Sequence, residues 1–311
     1  MSIGPVDPKD LFTLMLDVRE FSFLWYKARQ SYYKGERFTK EEKDRLKELF
    51  EHIANEIGIL PFKGRLLKRI IVRRPKLLPK FTKIPVVTDI FLQLLIEYLN
   101  YKCDHAVWDD ISKDPENRLK AYLDRNQSRL HAANGHIFEI IVRKWLSEII
   151  NSHWRNVQRV QFPAFPGKEV HGIEIDAFSM IRENDTLILS LAEIQWSLKD
   201  EHVIYPYPGG KYSLIEEVGM KLNISIEYIN KYFNPKKIIV KEVGLIGAKK
   251  IHSSHKNHIL QKLRNTINKS SIKVEKYFVY DIEDILNSVK VLPNDNALRK
   301  TIDVIVKLQN V

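Results

Sequence analysis

The sequence predicts an α/β protein: a mixed sheet flanked by helices and preceded by a mostly helical N-terminal region. Three observations carry this. After Asn134, helical and strand periodicities follow one another in the order helix, three strands, helix, strand, helix, strand. The two central strand patterns, 172–181 and 186–196, are apolar on both faces, as in a sheet covered on both sides. Ile173, Ile175 and Ala177 face Ala192 and Ile194, while Phe178 and Met180 face Leu189 and Leu191. Before about residue 130, apolar positions recur mainly at helical spacing.

The elements follow in order. Residues 9–33 carry helical spacing. Thr39 with Glu42 three positions on is a capping-box pattern, opening an amphipathic helix to Ile57 that Gly58 and Pro61 end. Val86–Tyr101 is an apolar helix, and Asp114-Pro115 starts a polar helix reaching about Leu130. Gly135–Ile150 is strongly amphipathic, with Ile137, Phe138, Ile141, Val142, Trp145, Leu146 and Ile149 on one stripe and Glu139 beside it. Strands follow at 157–162, 172–181 and 186–196, then helix 213–232, strand 237–247, helix 255–268 and strand 273–280. A short helix over Ile282–Ser288 and a tail helix over 295–308 complete the chain. The change of pattern divides it into a helical domain, 1–130, and an α/β domain, 131–311.

An apolar share of 44% supports a packed core, and no run of about 18 apolar residues points to a membrane span. The N-terminus lacks the basic region and apolar run of a signal peptide. Cys103, the single cysteine, excludes an internal disulfide framework and a cysteine-based zinc site, so a reducing, cytoplasmic location is expected.

The formal net charge of +11 points to a polyanionic partner, with solubility as the plainer reading. The charge is uneven. From Pro61 to Lys83 there is no acid, and Lys63, Arg65, Lys68, Arg69, Arg73, Arg74, Lys76, Lys80 and Lys83 alternate with Leu66, Leu67, Ile70 and Ile71. Such a run suits a surface that meets phosphate, though a solvated face would read the same. A second cluster holds Lys249, Lys250, His252, His255, Lys256, His258, Lys262 and Arg264. The three-residue repeat of its histidines drifts around a helix with no acid or cysteine nearby, which fits phosphate contacts or plain surface better than a metal site. The loop from Tyr205 to Lys211 lacks the spacing of a phosphate-binding P-loop, and Ser197 has no His–Asp relay. Trp196 reads as packing.

The sharpest signal lies in GIEIDAF (172–178) and LAEIQWS (191–197). If Asn184-Asp185 is a two-residue hairpin loop, Glu183 pairs with Thr186 and Asp176 stands opposite Glu193. A four-residue loop keeps both acids on one side, whereas a three-residue loop separates them. Facing Cβ atoms lie about 4.5–5.5 Å apart. Two carboxylates that close repel unless a proton or cation intervenes. Mg²⁺, a hard ion with oxygen ligands, is the natural occupant. Glu174 shares the face of Asp176, and Gln195 that of Glu193. The alternative is a set of acids at a solvated sheet edge.

A helix bearing Glu139 (GHIFE), then Asp176 in EIDAF, then Glu193 and Gln195 in AEIQWS resembles the PD-(D/E)xK nuclease superfamily, over roughly 134–285. The usual lysine of that signature is Gln195 here. The resemblance implies a restriction-endonuclease-like fold and Mg²⁺-dependent hydrolysis of DNA phosphodiester bonds, restriction-like or structure-selective, with Mn²⁺ able to substitute. It implies that Asp176, Glu193 and the Ile194 carbonyl hold the ion, that Glu139 holds a second ion or its water, and that Gln195 orients the attacking water. Glu174 is an auxiliary candidate, and Lys199 or Lys221 a replacement for the missing ammonium. DNA would lie on the basic segments, and the protein would act as a homodimer or with a partner bound through its N-terminal region. The competing expectation is a weakly active or inactive nuclease-fold protein that binds nucleic acid or serves a larger complex.

Overall fold

The structure is a computed structural model. It describes Glu20, Phe21, Leu24, Lys27, Ala28, Asp104 and His105, and residues 37–56, 107–124, 130–150, 152–155, 157–162, 173–199, 201–206, 210–270 and 272–309. The basic run from Pro61 to Lys83, with Lys63, Arg65, Lys68, Arg69, Arg73, Arg74, Lys76 and Lys80, lies outside the described residues. So does the helix expected over Val86–Tyr101. The chain divides into two compact units, Met1–Val107 with Pro163–Ile173, and Trp108–Phe162 with Glu174–Val311. No helix among the described residues is long and apolar enough to cross a membrane.

In the first unit, helix α1 (Lys40–Glu56) starts as the capping box dictates. Thr39 N–H donates to Glu42 Oε2 at 2.9 Å and Glu42 N–H to Thr39 Oγ1 at 3.2 Å. Leu46 and Leu49 are buried, and Arg45 forks onto both carboxylate oxygens of Glu20.

The second unit is built on a five-stranded mixed sheet in the order β1-β2-β3-β4-β5. The strands are β1 (Gln158–Phe162), β2 (Ile173–Glu183), β3 (Thr186–Gln195), β4 (Lys237–Gly247) and β5 (Val274–Tyr280). Strands β2 and β3 are antiparallel, while β3, β4 and β5 run parallel. The α/β class and the mixed, helix-flanked sheet thus stand as the sequence predicts. The α-helices of this unit among the described residues are α2 (Pro115–Asp124), α3 (Leu130–Trp145), α4 (Leu214–Phe233), α5 (Ser253–Asn268), α6 (Ile282–Val289) and α7 (Ala297–Gln309). The polar helix α2, expected in the N-terminal domain, packs here against α7 and α3.

Helices α4 and α5 are the parallel crossovers, and they pack on each other. Ser213 and Glu216 form a capping box that starts α4. On the other face, Trp145 of α3 stands edge-on to Tyr280 at 5.7 Å, and Trp154 to Phe278 at 6.1 Å. The Trp154 indole N–H donates to the buried Glu242 carboxylate.

A bulge in β4 sets which residues meet which layer. Leu189 pairs with Val240 but Ser190 pairs with Glu242, so Lys241 is extra. Beyond it, Val243 and Leu245 share the Leu191 and Glu193 face, while Glu242 and Gly244 lie under Trp154 and beside Phe278.

Candidate active site

The hairpin fixes the site. Residues Asn184 and Asp185 form a two-residue turn with Asn184 at φ 54°, the left-handed conformation such turns need. Glu183 pairs with Thr186, as the shortest loop requires, and the ladder runs back to Ala177 opposite Ala192. The ladder ends at that pair; continued by one step, the same register would set Asp176 opposite Glu193. Beyond its end, side chains make the contacts. Asp176 Oδ2 accepts from the Ile194 N–H at 2.9 Å, and the Asp176 carbonyl accepts from Arg143 Nη1 at 2.7 Å.

Both acids are buried, Asp176 with 9% and Glu193 with 2% of its surface exposed. Lys221, two turns into α4, reaches down to place Nζ 2.5 Å from Glu193 Oε2. The other oxygen, Glu193 Oε1, is buried and makes no hydrogen bond among the described residues. Burial pushes the Asp176 carboxyl up to about 7, the negative charge of Glu139 adds to this, and Lys221 opposes it. Burial likewise pushes Glu193 up to about 8, Lys221 opposing and Asp176 adding. Burial would depress the Lys221 ammonium, but Glu193 and Asp176 outweigh it and hold it above the ordinary lysine range. Two carboxylates against one ammonium leave one negative charge, so the trio takes up a proton near neutral pH. A divalent cation would satisfy the same deficit.

Glu139 is also buried, and its Oε2 lies 3.6 Å from Arg143 Nη1 and 3.4 Å from His136 Nδ1, so two side chains of its own helix face it. Glu174, on the face of Asp176, lies 3.5 Å from Arg159 Nη1 of β1, and its charge raises both central acids. Gln195 ends β3 half-buried; its carbonyl accepts from Ala248 N–H at 3.0 Å and its side-chain amide makes no hydrogen bond among the described residues. Ile194 carries the N–H that Asp176 holds. Lys199 is exposed past the strand end, where its N–H binds Ser197 Oγ. Trp196 packs edge-on against Phe138 at 6.3 Å.

In the second basic cluster, Lys250 pairs with Glu283 at 2.5 Å, and Lys256 with Asp284 at 2.6 Å and Asp281 at 3.1 Å. Lys249 is exposed. His252 caps α5, and His255 meets the Leu198 carbonyl at 3.0 Å.

Arg143, His136 and Arg159 are absent from the sequence reading. The first two carried a usable signal, since His136, Glu139 and Arg143 follow i, i+3, i+7 spacing along a largely buried helix. Arg159 carried none, because the pairing of β1 with β2 is not encoded in any turn.

Among the described residues, no three His, Cys, Asp or Glu side chains form a ready-made metal site. Mg²⁺ does not need one, because it keeps several waters and commonly takes one or two carboxylates together with substrate phosphate. Asp176 and Glu193 with its orphaned Oε1 fit that demand. Comparison of the chain with protein-family models, curated proteins and solved structures finds no match.

Proposed function

We propose that the protein is a Mg²⁺-dependent phosphodiesterase that cleaves DNA, with the PD-(D/E)xK arrangement that its sequence resembles. The observation that carries this is the pair of buried acids, Asp176 and Glu193, at the end of a hairpin ladder, with the ammonium of Lys221 on one of them. Asp176, Glu193 and the Ile194 carbonyl would hold the ion, and Mn²⁺ would substitute. When bound, the ion polarises the scissile phosphate and acidifies a water.

The chain's own residues supply the rest. Lys221 brings a fixed positive charge where negative charge develops on the phosphate, the part left open by glutamine at the signature's lysine position. Gln195, its amide without a hydrogen bond among the described residues, would orient a water but cannot take its proton. Glu139, facing Arg143 and His136, stands one step back from Asp176 and tunes it by charge.

A plasmid-nicking assay tests the reading. Supercoiled DNA is expected to be nicked with Mg²⁺ or Mn²⁺, and not with EDTA or by Asp176→Asn or Glu193→Gln. Failure to cut supercoiled, branched or single-stranded DNA with either ion overturns it. One observation favours a second reading, a non-catalytic DNA-binding protein: Glu193 already has a buried cationic partner in Lys221. Salt-sensitive DNA binding without divalent-ion binding in calorimetry would select it.

A further inference from the structure

We propose that helix α5 lies in the major groove of duplex DNA and reads base edges with a row of three carboxamides, Asn257, Gln261 and Asn265. The inference rests on the reading above for DNA as the partner and adds the surface and the mode of recognition.

Helix α5 is 16 residues long, about 24 Å at 1.5 Å per residue, and contains no Asp or Glu. Ile259, Leu263 and Ile267 bury its inner side against α4 and β5. Asn257, Gln261 and Asn265 follow i, i+4, i+8 spacing and are exposed, as are the flanking His258 and Lys262. None of these five side chains makes a hydrogen bond, ion pair or ring contact among the described residues. Their neighbours do: Lys256 pairs with Asp284, Arg264 lies over the Tyr277 ring, and Asn268 accepts from the Tyr277 hydroxyl. The structural work of the helix is thus done by other positions. Asparagine is a poor helix former because its amide competes for the backbone, so two in one exposed row weaken the helix with no intramolecular return.

The chemistry of the row matches a partner. Asn and Gln carboxamides pair bidentately with adenine in the major groove, and Lys reaches guanine or phosphate. The helix carries no acid of its own to repel the backbone phosphates, and the nearby Asp281 and Asp284 are paired with Lys256. The groove admits an α-helix in B-form DNA, whereas that of duplex RNA is too deep and narrow. Position adds to chemistry. The Ala248 N–H bonds the Gln195 carbonyl, so the segment leading into α5 leaves β4 beside the end of β3, and His255 in the first turns of α5 meets the Leu198 carbonyl. The first turn of α5 therefore lies at the end of the sheet where β3 finishes.

The test uses the full chain in EDTA and a pool of randomised duplex DNA, sequenced after rounds of binding. Wild type is expected to enrich a motif. The triple variant Asn257→Ala, Gln261→Ala, Asn265→Ala is expected to lose about tenfold of that enrichment per amide contact, while its affinity for the unselected pool stays within about threefold, as for a loss of base contacts alone. Alanine favours the helix, so the variant keeps its fold. Lys262→Gln is expected to weaken binding to all sequences alike and to lower the salt slope by about 1. A wild type that enriches no motif, a triple variant that enriches the same motif equally, or duplex RNA bound with equal dependence on these residues overturns the inference. Motif selection through α5 by a protein that never cleaves would sink the nuclease reading alone. Cleavage at sites indifferent to the triple variant would sink this inference alone.

Discussion

Replacing Asp176 by asparagine is expected to stabilise the protein while abolishing its activity. Asp176 titrates near 3.8 when free and about 7 in the fold. Below pH 3.8 it is protonated folded or unfolded, and stability does not depend on it. As pH rises from there to about 7, the unfolded chain ionises while the folded site resists, so stability falls. Above that the penalty is constant, about 4 kcal/mol at ~1.4 kcal/mol per pH unit. Asparagine escapes it, and its amide oxygen still accepts from the Ile194 N–H. The amide is a poorer partner than a carboxylate for that N–H and for Lys221, so a net gain of about 2 kcal/mol is expected, or about 4–8 °C in melting temperature for a unit of this size. Calorimetric melting of wild type and Asp176→Asn from pH 4 to pH 9 measures it. The difference is expected to be near zero at pH 4, to grow through neutrality and to level off above pH 8. Mg²⁺ is expected to raise the melting temperature of wild type and leave the variant unmoved. A variant less stable than wild type at pH 9, or a difference independent of pH, would refute the claim that the fold holds this anion at a cost.

Three further outcomes follow from the same geometry. Lys221→Met removes the cation beside two buried carboxylates and is expected to cost about 3–5 kcal/mol at pH 9, and less at pH 6, where Glu193 (about 8 in the fold) is already protonated; urea unfolding at both values checks the sign. Arg143→Met frees the Asp176 carbonyl and is expected to speed amide exchange at Ile194 by about tenfold, from loss of one charged buried hydrogen bond, with Arg143→Lys restoring much of the protection in NMR exchange. Gly244→Ala would put a Cβ 2.4 Å from the Phe278 carbonyl oxygen, a backbone atom that no rotamer moves, so loss of about 3 kcal/mol or more, read from chemical denaturation, is expected.

Much of this architecture was legible because it is local. The Thr39–Glu42 capping box, the two-residue turn at Asn184-Asp185 and the alternation along β2 and β3 each depend on residues within one strand or turn of each other. That is why the sequence places Asp176 beside Glu193 without any knowledge of the remaining strands. The contacts that complete the site are not local. Lys221 meets Glu193 only because α4 crosses back over the sheet, and helical spacing says nothing of where a helix lands. Lys250 and Lys256 read as free positive charge, yet they face Glu283, Asp284 and Asp281 some 25–33 positions later. Charge runs in a sequence omit the partners that folding brings. The start of α3 at Leu130 and not Gly135 has a simpler cause: Gly135 is tolerated inside a helix whose other positions pack well.

The extra residue at Lys241 in β4 takes up a mismatch in phase. Were the same residues to pair with β3 in an unbroken ladder, Lys241 would stand opposite Ser190, and side chains 242–247 would trade sides of the sheet. Glu242 would leave Trp154 and Lys276 and join Glu193 beneath α4, and Val243 would be turned toward the aromatic layer. The irregularity therefore lets one stretch of chain serve both layers in the right order. A further residue inserted beyond it, with no second bulge to absorb it, would do more harm than most substitutions in the core.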